Sequence, residues 1–414
     1  MRNNWLHRPF VLRVFTLLIL VLVSMLTGRD ASAQQANLPT SKKIAEALQP
    51  YVDSQALAGA VTLVADKEKI LSIDTVGFAD VAAKKAMPTD ALFWIASQSK
   101  PITGAALMIL VDEGKVDLNA PVSKYLPEFG DVWLATERDN DHILLKRPAR
   151  RITVRDCMNH TSGMPFQSVL EKPTLDLLPL REAVRSYAMT PLNREPDSHY
   201  DYSNAGINTA GRIIEVVSGM PYEKFMDERL LKPLGMGDTS FWPDAAQAAR
   251  IAKSYRPNAA KDNLDEIQVD QLTYPLTDRQ RRPSPAGGYF STAHDMAVFG
   301  MLILNGGVHD GKRLVSEASI RQLTSTQAGA KLNDDSRPGG YGLGFSTSTK
   351  STSDTSPVPV GPCGHGGAYA TNLWVDPARG LVTVYLVQHA GFIAGGDQAR
   401  GVFEKAATEK YGTK

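Results

Sequence analysis

The chain has 414 residues, is 43% hydrophobic and 21% charged, and carries a formal net charge of +1. This is globular composition, long enough for one large domain or two. The near-neutral balance supplies no basic field that would attract nucleic acid, so no nucleic-acid partner is expected.

Arg2, Arg8 and Arg13 lead into an apolar run over residues 14–26, followed by the small-x-small site Ala31–Ser32–Ala33. The pattern is that of a secretory signal peptide cut after Ala33. The run is short for a span of roughly 20 residues. Residues 1–33 are therefore read as a signal, and residues 34–414 as a secreted or periplasmic chain with no stable membrane span. Without residues 1–33 the chain has 41 basic and 43 acidic residues, a net charge of −2. Cys157 and Cys363 are the only cysteines, too few to define a disulfide framework. They are read as two separate thiols. With no C-x-x-C and no H-E-x-x-H, neither a metal nor another cofactor is implied.

In chain order, residues 41–51 read as a short helix and 59–76 as a β hairpin turning at Asp66–Lys67–Glu68–Lys69. Residues 77–90 read as a loop. Residues 102–111 are apolar almost all round, the mark of a buried helix. Pro101 fits only the first turn of that helix, where its missing N–H has no partner to lose. Residues 119–285 are rich in prolines and loops, with helices expected at 204–217 and 222–231. Another apolar helix spans 293–304, and residues 340–345 read as one strand. Strands at 369–375 and 381–388 flank the hairpin turn Asp376–Pro377–Ala378–Arg379–Gly380. A helix closes the chain at 398–410. The expected fold is α/β of the α+β type: one mostly antiparallel sheet built from both ends of the chain, flanked by helices. Its α/β lobe would take residues 40–118 and 288–414, and a helical lobe, 119–287, would be inserted between them.

Three stretches carry the chemistry. Ser97–x–x–Lys100, the sole S-x-x-K of the chain, sets a hydroxyl and an amine one helical turn apart. A serine hydroxyl is a weak nucleophile until a neighbouring base activates it. By frequency alone such a pair occurs about once in a chain this long. What distinguishes this one is Pro101, which places it at a helix N-terminus, and the buried helix behind it. Tyr202–x–Asn204 lies in a loop before a helix; a phenol can move a proton, and an amide can orient a lysine or a substrate carbonyl. From the local pattern alone, a loop tyrosine with Asn204 capping the next helix is the favoured reading. Gly364–His365–Gly366–Gly367–Ala368 precedes a strand, and its glycines permit a ligand to approach the backbone.

The order Ser97/Lys100, Tyr202/Asn204, His365/Gly367 resembles the penicillin-recognising serine hydrolases: class C β-lactamases, D-alanyl-D-alanine carboxypeptidases and related esterases. The segments His160–Thr161–Ser162–Gly163–Met164–Pro165 and Pro285–Ala286–Gly287–Gly288–Tyr289–Phe290–Ser291–Thr292 are similar to two further motifs of that family. The resemblance implies a β-lactamase/transpeptidase-like fold and an acyl-enzyme mechanism. Ser97 would be the nucleophile, with Lys100 and Tyr202 sharing the acid and base work. Asn204 would hold Lys100 or the substrate. The N–H groups of Ser97 and Ala368 would form the oxyanion hole, and His365, Gly366 and Gly367 would contact substrate. The two extra motifs would shape loops. One departure matters: family β-lactamases and carboxypeptidases usually begin the third motif with lysine, whereas this chain has His365 and no K-T-G. A histidine is mostly neutral at pH 7, so the resemblance points to an ester or small amide substrate. A cell-wall D-Ala-D-Ala peptide or a penicillin is the alternative, and a catalytically silent binding protein on the same scaffold is another.

Overall fold

The computed structural model describes residues 38–327, 340–348 and 361–412. Residues 1–33, read above as a signal peptide, lie outside them. The central sheet is built from β1 (Gly59–Ala65), β2 (Ile70–Asp80), β3 (Lys85–Ala86), β4 (Gly340–Tyr341), β5 (Ser346–Thr347), β6 (Cys363–Gly366), β7 (Asn372–Asp376) and β8 (Leu381–Leu386). Its order is β4-β5-β6-β7-β8-β1-β2-β3, antiparallel throughout. The two ends of the chain meet where β1 pairs with β8, Val61 opposite Leu386 and Leu63 opposite Val384.

Period-2 alternation divides the sheet residues between two faces. On one face Ala60, Val64, Tyr385 and Val387 pack against Ile44 and Leu48 of α1 (Lys42–Asp53) and Phe403 and Ala407 of the C-terminal helix Ala399–Tyr411. On the other, helix Ala293–Leu304 presses so close that a Cβ at Gly300 would lie 2.4 Å from a Val382 methyl. This α+β architecture with its antiparallel sheet is the one expected. Two local expectations fail. Residues 340–345 do not form one strand: Gly344 adopts φ +87°, turning the chain between β4 and β5. Residues 77–90 are not all loop, because β2 continues to Asp80 and pairs with β3.

The middle of the chain holds α3 (Val154–Met158), α4 (Leu180–Met189) and α5 (Asn204–Ser218), numbered after α2 (Ser99–Asp112). It also holds two short hairpins, Leu134–Arg138 with Ile143–Lys146 and Ser254–Pro257 with Leu264–Ile267. The helix expected at 222–231 is α-helical only to Met226 and continues as a π turn, Asp227–Leu231. Every residue of α2 from Ser99 to Leu110 is buried, as its unbroken apolar run requires. Cys157 and Cys363 are free and buried; burial raises the Cys157 thiol pKa well above its ordinary value and pushes that of Cys363 up to about 12.

Candidate active site

Ser97 sits in the 3-10 turn Ala96–Gln98 that runs directly into α2, with Pro101 in the helix's first turn. The residue before it, Ala96, is held at φ +46°. A non-glycine residue in this region is uncommon and persists only where its surroundings over-determine it. Here they do. The Ile95 N–H donates to the Tyr289 carbonyl (3.0 Å), the Ser99 hydroxyl donates to the Ala96 carbonyl (2.7 Å), and the Trp94 indole donates to the Gly287 carbonyl (2.7 Å).

Lys100 is fully buried and its Nζ meets three oxygens: Ser97 Oγ at 3.0 Å, Asn204 Oδ1 at 2.8 Å and the Ala286 carbonyl at 2.8 Å. Burial alone drives its pKa well below the ordinary lysine value. A neutral amine has two protons and one lone pair. The amide and peptide oxygens can only accept, so they take the two protons and leave the lone pair facing the Ser97 hydroxyl. Once that hydroxyl's proton has moved to Nζ, the ammonium has three protons for the same three oxygens. Both protonation states are therefore satisfied without rearrangement.

Asn204 reaches Lys100 because it is not the cap of its own helix. Ser203 caps α5, accepting from the Gly206 N–H (3.2 Å), while its hydroxyl donates to the Pro165 carbonyl (2.8 Å). Tyr202 lies just before that cap, with its ring centroid 4.7 Å from Lys100 Nζ. The His160 ring packs on Tyr202 (4.5 Å between centroids), and His160 Nδ1 accepts from the Ser203 N–H (3.2 Å). The segment beginning at His160 thus shapes the Tyr202 loop, the supporting part expected for it.

His365 lies in β6, buried, its Nε2 3.0 Å from the Tyr341 hydroxyl and its Nδ1 2.7 Å from the Gly366 carbonyl. A ring nitrogen facing a carbonyl must donate, so Nδ1 carries a proton. The strand ends at Gly366; Gly367 donates to the Thr371 carbonyl (2.7 Å), and Ala368 is exposed in the turn that follows. Gly367 packs against the segment that leads into Ser97, since a Cβ there would stand 2.6 Å from the Ile95 carbonyl oxygen. Ser97, Lys100, Tyr202, Asn204 and the 365–368 turn are therefore brought together.

Three parts of the site were not singled out from sequence. The Ala286 carbonyl is a direct partner of Lys100, so its segment does more than shape a loop. Asn208 steadies it: Asn208 Oδ1 accepts from the Ala286 N–H (3.0 Å), and Asn208 Nδ2 donates to the Tyr187 hydroxyl (3.0 Å), which donates to Glu171. The signal was present, because Asn204 and Asn208 are four apart on one helix and share a face. Ala96 had no signal; nothing in an alanine marks it for positive φ. Among the described residues no group of three or more His, Cys, Asp and Glu could hold a metal ion.

A serine in the turn before a buried helix, beside the buried amine of that helix's first turn and next to a large antiparallel sheet, is the arrangement expected of a serine hydrolase of the β-lactamase fold. The Beta-lactamase family model matches residues 44–406, and the chain belongs to that family. An uncharacterized protein of Mycobacterium tuberculosis (strain CDC 1551 / Oshkosh) is 33% identical over 359 residues, covering 81% of this chain and 87% of that one. Among solved structures, EstCE1, a hydrolase with promiscuous acyltransferase activity, superposes with TM-score 0.71 at 23% identity, covering 88% of this chain and 97% of its own. Unliganded simvastatin synthase (LovD) from Aspergillus terreus, as its selenomethionyl derivative, superposes with TM-score 0.74 at 19% identity, covering 89% and 98%. At those identities the likeness is one of fold.

Proposed function

We propose that the protein is an exported serine hydrolase that cleaves an ester, or a small amide, through an acyl-Ser97 intermediate. The observation that carries this reading is the fully buried Lys100 Nζ, within hydrogen-bond distance of Ser97 Oγ, Asn204 Oδ1 and the Ala286 carbonyl. Lys100 takes the hydroxyl proton as Ser97 Oγ attacks the acyl carbonyl. The developing oxyanion is received by the Ser97 and Ala368 N–H groups. Tyr202, beside Lys100, returns a proton to the leaving group, and water then releases the acid by the reverse steps. Lys100 and Tyr202 adjoin, the ring centroid lying 4.7 Å from Nζ, so the acid and base work is assigned to the two together.

The ester preference rests on His365. Both its ring nitrogens are engaged within the protein, by Tyr341 and by the Gly366 carbonyl. It is not the free, fixed cation that a penicillin or peptide carboxylate would seek. Export rests on the basic lead, apolar run and Ala31–Ser32–Ala33 site at the N-terminus.

The test is to assay purified protein and Ser97→Ala on p-nitrophenyl acetate, a chromogenic cephalosporin and a D-Ala-D-Ala peptide. Ester turnover that falls at least about 10⁴-fold in Ser97→Ala is expected, since removing a nucleophile disables the machinery as a unit. No turnover of any substrate, with no labelling by a fluorophosphonate probe, would sink the hydrolase reading. Cephalosporin turnover equal to that of the ester would overturn the inference from His365.

A further inference from the structure

Both ends of residues 166–177 touch the surroundings of the nucleophile. The Phe166 ring stacks on Tyr202 (centroids 6.2 Å apart, planes at 27°), and its carbonyl accepts from the Asn204 and Ala205 N–H groups. Leu175 lies over Gly287 and Ala96: a Cβ at Gly287 would be 3.7 Å from Leu175 Cδ1 and 3.8 Å from the Ala96 carbonyl carbon. Between them the 3-10 turn Val169–Glu171 presents Val169 at 79% and Leu170 at 59% exposure, with Phe166 at 48%.

The backbone carrying these side chains is held by buried polar contacts. Ser168 and Glu171 form a capping box, and Glu171, 3% exposed, accepts from the Ser168 N–H (2.9 Å) and from the Tyr187 hydroxyl. At the far end Asp176 accepts from the Thr273 N–H (3.0 Å) and pairs with the buried Arg281 (2.7 Å). The turn is thus ordered without burying Val169 or Leu170. Val169 and Leu170 stand exposed between the Phe166 and Leu175 contacts with the site. The ionisable groups of residues 166–177 are Glu171 and Asp176, both buried and engaged, and the exposed Lys172.

The geometry points to residues 166–177 as an apolar wall of the Ser97 site that takes the aliphatic chain of the substrate ester. This rests on the acyl-Ser97 reading and adds the substrate class to it. Each methylene that the wall covers favours binding about fourfold, so the preference must grow with chain length.

The test measures kcat/KM of the full-length purified protein on p-nitrophenyl acetate, butyrate and octanoate, and on ethyl and octyl acetate, so that a chain on the acyl side is distinguished from one on the alcohol side. In one of the two series the eight-carbon ester is expected to exceed the two-carbon ester by at least about tenfold. In Val169→Ser/Leu170→Ser that ratio is expected to fall about tenfold, with the melting temperature unchanged because both side chains are exposed. A wild-type ratio retained by the variant, or a preference for two carbons in both series, overturns the inference while leaving Ser97-dependent acetate turnover intact. Equal acetate turnover by wild type and Ser97→Ala overturns the acyl-Ser97 reading and the inference with it.

Discussion

The two adjacent glycines of the 365–368 turn should respond very differently to a single methyl group. At Gly367 a Cβ would lie 2.1 Å from Thr371 Oγ1 and 2.6 Å from the Ile95 carbonyl oxygen. The threonine can rotate away, but the carbonyl cannot: it accepts from the Gln98 N–H (3.0 Å), and the Ile95 N–H is tied to Tyr289 (3.0 Å). Restoring ordinary contact at 3.4 Å therefore means displacing Gly367, and with it the Ala368 N–H, by close to an ångström. Losing one oxyanion donor typically costs about 10²–10³ in kcat, near 3–4 kcal/mol. At Gly366 the nearest atoms to a Cβ are Thr371 O at 3.6 Å and Asn372 Nδ2 at 3.7 Å, ordinary contacts, and its φ is not positive. Initial rates on p-nitrophenyl acetate, normalised by fluorophosphonate titration of active enzyme, should fall about 10²-fold in Gly367→Ala and only a few-fold in Gly366→Ala. A Gly367→Ala rate within tenfold of wild type, or an equal loss in Gly366→Ala, would refute the proposed part of the Ala368 N–H in an oxyanion hole.

Asn208→Ala removes the acceptor that fixes Ala286, and should lower kcat about fivefold, the worth of one hydrogen bond at roughly 1 kcal/mol. It should also move the acidic limb of the pH–rate profile, which a purely structural role would leave in place. That limb, where Lys100 loses its proton, is expected well below the range of an ordinary lysine because burial disfavours the ammonium. Buried His389, whose Nε2 accepts from the Ala58 N–H (3.1 Å), has its pKa pushed down to about 4 from 6.5, chiefly by burial. The unfolded chain binds that proton first as pH falls, so about 3 kcal/mol of stability should be lost between pH 6.5 and 4. Urea unfolding of His389→Gln, which keeps an acceptor, should lack this component. Arg281→Met strands the buried Asp176 carboxylate and should destabilise the fold by about 3–5 kcal/mol in the same assay; a loss under 1 kcal/mol would show the pair to be dispensable.

Much of this was legible from local pattern. The apolar run after Pro101 required a buried helix, and that helix made Lys100 hard to hydrate. The turn Asp376–Pro377–Ala378–Arg379–Gly380 marked β7 and β8, and β-forming residues on either side of Asp66–Lys67–Glu68–Lys69 marked β1 and β2. Strands as short as β3 and β5 escaped and β4 was read too long, because two residues carry no periodicity and exist only through their neighbours in the sheet.

The sequence by itself determined the chemistry on offer: a serine one turn from a lysine, a tyrosine and an amide before one helix, and a glycine-flanked histidine before a strand. Each is a matter of residue type and short spacing. Only the tertiary structure decided what these groups do to one another. The Ala286 carbonyl, 186 residues from Lys100 along the chain, shares its two acceptor duties with Asn204 and so turns the lysine lone pair toward Ser97. Ala96 is forced to positive φ, and His365 is engaged by Tyr341, by contacts between segments far apart in the chain. A side chain's hydration and the direction of its lone pair depend on which distant atoms close around it, and no local spacing records that.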